Sequence, residues 1–181
     1  MTKWERIVQD HGPMVFGTAW RILGHAVDAE DVVQDVFLEV HRLWMERPVR
    51  HWGGLLRRLT SCRAVDRLRA RKNNVCLNGL SLMSLANGPE ESAIANELSE
   101  RLREAIARLP EREGAVFCMR YFDDLPYEEI AESMGITRGA VATALHKARA
   151  KLETALLPNG KPAEDEISIM PVPRLNELQG S

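Results

Sequence analysis

YEEIAESMGITRGAVATALHKAR, residues Tyr127 to Arg149, carries the pattern of two helices crossing at a steep angle. Such a crossing needs a small residue where the helices touch, and Ala131 fills that place. The turn between them needs a residue tolerant of positive φ, and Gly135 supplies it four residues later. Ile130, Met134, Ile136, Val141 and Leu145 then form an apolar wedge that fixes the angle. Two ordinary packed helices would also use a glycine turn, but here five or six constrained positions agree. The stretch is therefore a helix-turn-helix candidate. Its second helix offers Thr137, Arg138, Val141, Thr143, His146, Lys147 and Arg149 to a DNA groove and its phosphates. The polar side is thin, because Ala140, Ala142 and Ala144 occupy places where polar contacts would help.

Working upstream, Leu98, Leu102, Ile106 and Leu109 mark a helix beginning near Glu97, and a second runs from Ala115 to Phe122 after Pro110. The region 97–157 thus reads as one small helical unit, its last helix ending near Leu157-Pro158. From 73 to 96 the turn signals Asn73-Asn74, Asn78-Gly79 and Asn87-Gly88-Pro89 predict a flexible linker. Beyond Leu157, residues 158–181 have four prolines and no helical stripe, and read as a tail.

Four helices are expected in residues 1–72. Ile7, Val8, Val15, Phe16, Ala19, Trp20 and Leu23 form the stripe of the first two, with a break expected at Gly12-Pro13 and an end at Gly24. Asp28 is the expected cap of a third, whose stripe is Val32, Val33, Val36, Phe37, Val40 and Trp44. The fourth spans about Gly54 to Lys72, with Leu55, Leu59, Cys62, Val65 and Leu68 on one side. The fold class expected is all-α: an N-terminal helical bundle and a C-terminal helix-turn-helix domain joined by the linker.

Charge is segregated although the formal net charge is only −2. Ala26 to Val40 holds five acids and no Lys or Arg, whereas Arg47 to Lys72 holds nine Lys or Arg against the single acid Asp66. Arg63, Arg67 and Arg71 fall at i, i+4 and i+8, and Arg57, Arg58, Arg69 and Lys72 broaden that face. Cations so placed displace counterions from nucleic acid. His51 and Trp52 precede the helix, where an aromatic ring suits the stacking of unpaired bases. Asp28, Asp31, Asp35 and Glu39 share one face of the third helix. The helix dipole accounts for acids in the first turn but fades before Asp35 and Glu39. An acidic face repels DNA, so its partner should be a basic protein surface.

Enzyme chemistry finds little support. The five histidines are scattered, and there is no Gly-rich phosphate loop, HExxH or nucleophile motif. Cys62, Cys76 and Cys118 form no CxxC or Cys/His zinc pattern and read as reduced thiols. No catalytic residue, metal or cofactor is expected. No apolar run reaches membrane-spanning length and the start has no signal core, so no membrane insertion and a cytoplasmic location are expected.

In order and spacing, the elements resemble bacterial RNA polymerase sigma factors of the extracytoplasmic-function class. DAEDVVQDVFLEVHRLW, Asp28 to Trp44, is similar to that family's polymerase-binding helix, and HWGGLLRRLTSCRAVDRLRARK, His51 to Lys72, to its minus-ten segment. Arg108 to Leu152 is similar to its minus-thirty-five domain. The resemblance implies that Asp31, Gln34, Asp35 and Glu39 bind core RNA polymerase. It implies that His51, Trp52, Arg57, Arg58, Arg63, Arg67 and Arg71 hold melted minus-ten promoter DNA, and that the second helix of the helix-turn-helix reads the minus-thirty-five element. A stress or envelope-response regulon and an anti-sigma factor as partner are further implications. The competing reading is a helix-turn-helix regulator that binds DNA without polymerase, which would leave the acidic helix without a role.

Overall fold

A computed structural model describes residues 2–46, 48–49, 51–78 and 90–157. Seven helices and no strand are found among them: α1 Lys3–Leu23, α2 Ala26–Glu46, α3 Trp52–Asn78, α4 Glu90–Ala107, α5 Glu111–Tyr121, α6 Tyr127–Met134 and α7 Arg138–Leu156. The all-α expectation holds, with an N-terminal bundle of α1–α3 and a helix-turn-helix in α6–α7.

Helix α1 is continuous, where two helices were expected. It starts in a capping box: the Thr2 hydroxyl accepts the Glu5 amide hydrogen at 3.2 Å, and the Thr2 amide donates to Glu5 Oε2 at 2.7 Å. Pro13 lies inside it on the exposed side. Water can satisfy a carbonyl that proline leaves unpaired there, while Val15, Ala19, Ile22 and Leu23 anchor the opposite face in the core. Gly24 ends the helix at φ 65° with its amide on the Trp20 carbonyl.

Helix α2 starts two residues before the expected cap. The Asp28 amide donates to His25 Nδ1 at 3.4 Å, so Asp28 sits in the first turn rather than capping it. The helix then buries Ala29, Val32, Val36, Phe37 and Val40. Near its end Trp44 stacks on Trp4 at 5.8 Å and meets Trp52 edge-on at 6.4 Å.

Helix α3 continues past Lys72 through Asn73-Asn74 to Asn78, and α4 begins at Glu90. The ends of the expected linker are thus helical. Its centre, 79–89, and the expected tail, 158–181, lie outside the described residues.

The two halves share a core. Leu56, Leu59, Val65 and Leu68 of α3 pack in one cluster with Val15 and Ile22 of α1, Ile106 of α4, Phe117 and Cys118 of α5, and Ala148 and Leu152 of α7. A second cluster belongs to the helix-turn-helix: Val116, Met119, Leu125, Ile130, Ala131, Val141, Ala144 and Leu145, with Met134 and Ile136 at its edge. This is the expected wedge. Gly135 adopts φ 64°, the left-handed conformation anticipated for the turn.

Candidate nucleic-acid and partner interfaces

Helices α2 and α3 pack so that the acidic face meets the basic one. Arg67 Nη2 lies 2.7 Å from Asp31 Oδ2 and 2.9 Å from Asp28 Oδ1. Arg63 reaches Glu39 Oε2 at 2.7 Å, and Arg71 lies 3.7 Å from Asp28 and 4.0 Å from Glu100. The hydrogen bond from Arg63 to Glu39 holds the Arg63 guanidinium above its ordinary pKa, and that to Asp28 does the same for Arg67. Arg63, Arg67 and Arg71 therefore do line one face as their spacing requires. Within the chain they are the counter-charges of the acids expected to bind a different partner.

Gln34 and Asp35 differ from Asp31 and Glu39. Both are exposed, and neither has an ion pair or side-chain hydrogen bond among the described residues. About one and three turns further along the exposed side stand Leu38 and Met45, 60% and 72% exposed. A partner docking on α2 would meet an acid, an amide and these two apolar side chains without displacing any intrachain contact.

The start of α3 faces α6. His51 Nε2 is 3.6 Å from Glu132 Oε1, and Gly54 backs onto Ser133. A groove of about 530 Å³ lies between them, lined by His51, Arg57 and Arg58 on one side and by Glu129, Glu132 and Ser133 on the other. Trp52 is half-buried at the edge of the Trp4–Trp44 stack, so only part of its ring is open to a stacking base. Arg69 turns away from this groove. It donates to the Leu109 carbonyl at 2.6 Å and pairs with Asp66.

In α7 the expected DNA-facing residues divide. Arg138, Thr143, His146, Lys147 and Arg149 are exposed. Thr137 is the N-cap, its hydroxyl accepting the Ala140 amide hydrogen at 3.2 Å. Thr143 donates to the Gly139 carbonyl at 2.9 Å, Arg138 pairs with Glu128 at 3.1 Å, and Arg149 donates to the Tyr121 hydroxyl at 2.6 Å. Val141 is a correction. It is fully buried in the wedge, so it positions the helix and presents nothing to a groove. Ala144 is likewise a core residue, and only Ala142 of the three alanines is fully on the exposed side.

Contacts that join the halves went unread in the sequence. Thr18 and Arg21 of α1 both donate to Asp123 Oδ1 in the α5–α6 turn, the threonine at 2.7 Å. Arg103 of α4 donates to the Ile22 carbonyl at 3.1 Å and packs so tightly over Gly24 that a Cβ there would collide with its guanidinium. Burial lowers the Arg103 pKa, with Glu100 acting against it. One signal was present. Thr18 falls between Val15 and Ile22 in an apolar stripe, where a hydroxyl needs a partner.

No helix is long and apolar enough to cross a membrane, and no cluster of metal-ligating side chains occurs, among the described residues. Two family models match the chain in order: Sigma-70 region 2 over residues 7–74 and Sigma-70, region 4 over residues 99–152. The ECF RNA polymerase sigma factor SigW of Bacillus subtilis is 28% identical over 165 residues, covering 83% of this chain and 87% of that one. SigE of Mycolicibacterium smegmatis, also an ECF RNA polymerase sigma factor, is 27% identical over 161 residues, covering 86% of this chain and 62% of the relative. Among solved structures, the sigma factor RpoE of Bartonella quintana, crystallised with the anti-sigma factor NepR, aligns with a TM-score of 0.52 at 17% identity. That alignment covers 86% of this chain and 98% of RpoE.

Proposed function

The chain belongs to the sigma-70 family of RNA polymerase sigma factors, in its extracytoplasmic-function class, and from that premise we propose how its surfaces divide the work. It binds core RNA polymerase and directs it to promoters. The observation that carries this function is the succession of the two sigma-70 regions along one chain, the first on α1–α3 and the second on α4–α7.

In the reading we favour, Gln34 and Asp35 make the first polymerase contact, because they are exposed and unengaged among the described residues. Asp31 and Glu39 extend the surface and must exchange Arg67 and Arg63 for basic groups of the polymerase. His51, Trp52, Arg57 and Arg58 at the start of α3 hold the melted minus-ten strand, stacking bases and neutralising phosphates. Arg63, Arg67 and Arg71 join them as their carboxylate partners are drawn away. Arg138, Thr143, His146, Lys147 and Arg149 approach the minus-thirty-five element, with Thr137 and Val141 setting the pitch of α7.

The chain supplies no catalytic group to RNA synthesis; its role is regulatory, within the cytoplasm. An anti-sigma factor is its expected controlling partner, as RpoE has NepR. A DNA-binding regulator that works without polymerase would have no use for a sigma-70 region 2. In-vitro transcription with core polymerase on a promoter library tests the proposal: the chain should select a distinct promoter set. Failure to co-purify with core polymerase and to support any initiation would overturn it.

A further inference from the structure

Trp44 stands in the last turn of α2 and Trp52 opens α3, so the two rings flank residues 47–51, which connect the helices. They meet edge-on at 6.4 Å and close that connection at its base. Trp4, in the first turn of α1, lies nearly parallel to Trp44, at 5.8 Å and 14°. It is held in turn by Phe37 at 6.1 Å and by His41 at 4.7 Å, both edge-on. Phe37 is buried in the core, and Trp4 and Trp52 pack against that core from its edge. Trp44 thus bridges two rings that are themselves anchored.

We propose that Trp44, backed by Trp4, is a positioning residue for minus-ten recognition: the ring bridge fixes the α2–α3 connection in the shape that meets the melted strand. Pro48, Val49 and His51 of this connection line the same groove as Arg57 and Arg58 of α3. The proposal rests on the assignment of His51 to Arg58 to melted DNA. It adds to that assignment two rings that act through the connection and need touch no base themselves.

Rings suit this task better than aliphatic side chains. Stacked and edge-on pairs have preferred offsets and angles, whereas a leucine would cover apolar surface without fixing the angle at which α3 leaves the connection. A connection free to sample other shapes would have to be ordered by the DNA, and that cost would be subtracted from its contacts with the correct bases. Phosphate contacts from Arg57 and Arg58 serve any sequence and do not depend on the connection's shape. Loosening the bridge therefore removes more from a matched promoter than from a mismatched one. Discrimination falls along with rate.

The test uses the holoenzyme reconstituted with core polymerase. Open-complex formation is followed on the strongest promoter of a library and on the same promoter with one minus-ten base pair changed. Trp44→Leu should shrink the ratio of the two rates about threefold or more, at wild-type affinity for core polymerase, and Trp44→Phe should recover most of it. Val36→Ala, which cuts a fully buried side chain on the same helix, should lower thermal stability and leave the ratio unchanged. Equal slowing of both promoters by Trp44→Leu overturns the positioning role, as does an equal loss of ratio in Val36→Ala. His51→Ala tests the underlying assignment. A changed ratio there beside an unchanged one in Trp44→Leu overturns the bridge while the assignment stands. The converse supports the bridge and removes His51 from the assignment, and unchanged ratios in both variants overturn both. Should Trp44→Leu lose helical ellipticity, Trp4→Leu supplies the comparison, removing the stack behind Trp44 with the same readouts.

Discussion

Asp31 on α2 and Arg67 on α3 are ion-paired at 2.7 Å, although one belongs to the face proposed for polymerase and the other to the face proposed for DNA. A carboxylate cannot give its full attraction to both a neighbouring arginine and a polymerase cation. Binding at one face therefore changes the charge available at the other, and the coupling is reciprocal.

The exposed acids separate this coupling from the plain removal of a docking charge. Asp35→Lys reverses a charge that has no ion pair among the described residues, so holoenzyme affinity should fall about tenfold or more with thermal stability unchanged. Asp31→Lys should also weaken assembly and should lower stability by about 1 kcal/mol or less, since Arg67 and Asp31 are both more than a third exposed. Competition binding to core polymerase and thermal melts measure the two effects. Normal affinity in the Asp31→Lys, Asp35→Lys double variant would remove this face from the polymerase contact.

Arg63 and Arg67 should matter to DNA only once polymerase is bound. Replacing both by Ala in the holoenzyme should slow open-complex formation. It should also make the dependence of log K on log salt shallower by about 1.4, roughly 0.7 for each single-strand phosphate no longer neutralised. An unchanged slope would leave these arginines as intrachain counter-ions to Asp28, Asp31 and Glu39.

The wedge of the helix-turn-helix is tested without any ligand. Leu145, 1% exposed, should cost about 2–5 kcal/mol when cut to Ala. Gly135→Ala meets no steric obstacle beyond the glycine itself, so its cost of about 1–2 kcal/mol comes from the left-handed backbone alone. Gly135→Asn should recover part of that loss. Denaturant titrations give all three values, and equal stability of the Ala and Asn variants would discount the backbone explanation.

Cysteine chemistry gives a pH prediction. Burial, assisted by Asp123 and then Cys62, raises the Cys118 thiol far above its ordinary range, and burial followed by Glu111 raises Cys62. A raised folded pKa means that the folded chain holds these protons more tightly than the unfolded chain. Their contribution to stability is complete below the ordinary thiol pKa and declines as pH rises above it, on the alkaline side of about 8.5. At about pH 8, just below that range, Cys118 should resist a disulfide reagent until the chain is unfolded, and Cys62 should react more slowly than a free thiol. Rapid modification of Cys118 in the folded protein would contradict its placement.

Much of this was legible in the sequence for a definite reason. The wedge from Ile130 to Leu145 and the stripe from Val32 to Val40 are periodic and local, and periodicity survives folding unchanged. Gly24 and Gly135 were readable because a left-handed turn admits few other residues. Errors arose where tertiary packing overruled local signals. Pro13 is carried inside α1 because the opposite face is held in the core, and Asn73-Asn74 does not end α3. The charge blocks were visible as blocks, but spacing along α2 and α3 cannot reveal that Arg67 points at Asp31. Asp123 lay further still from view: its partners are more than a hundred residues away, in another helix's apolar stripe.

Helix α3 packs against α1, α2, α4, α5 and α6, so its apolar residues complete the cores of both halves at once. In calorimetric terms the free chain should behave as one cooperative unit, with a single heat-absorption peak and equal calorimetric and van't Hoff enthalpies. Amide exchange in the free chain should accordingly show a common protection level in the cores of both halves. A substitution on the apolar side of α3 is consequently felt in both halves of the free protein. The same helix that is proposed to hold promoter DNA thus sets how long the unassembled chain withstands heat and proteolysis.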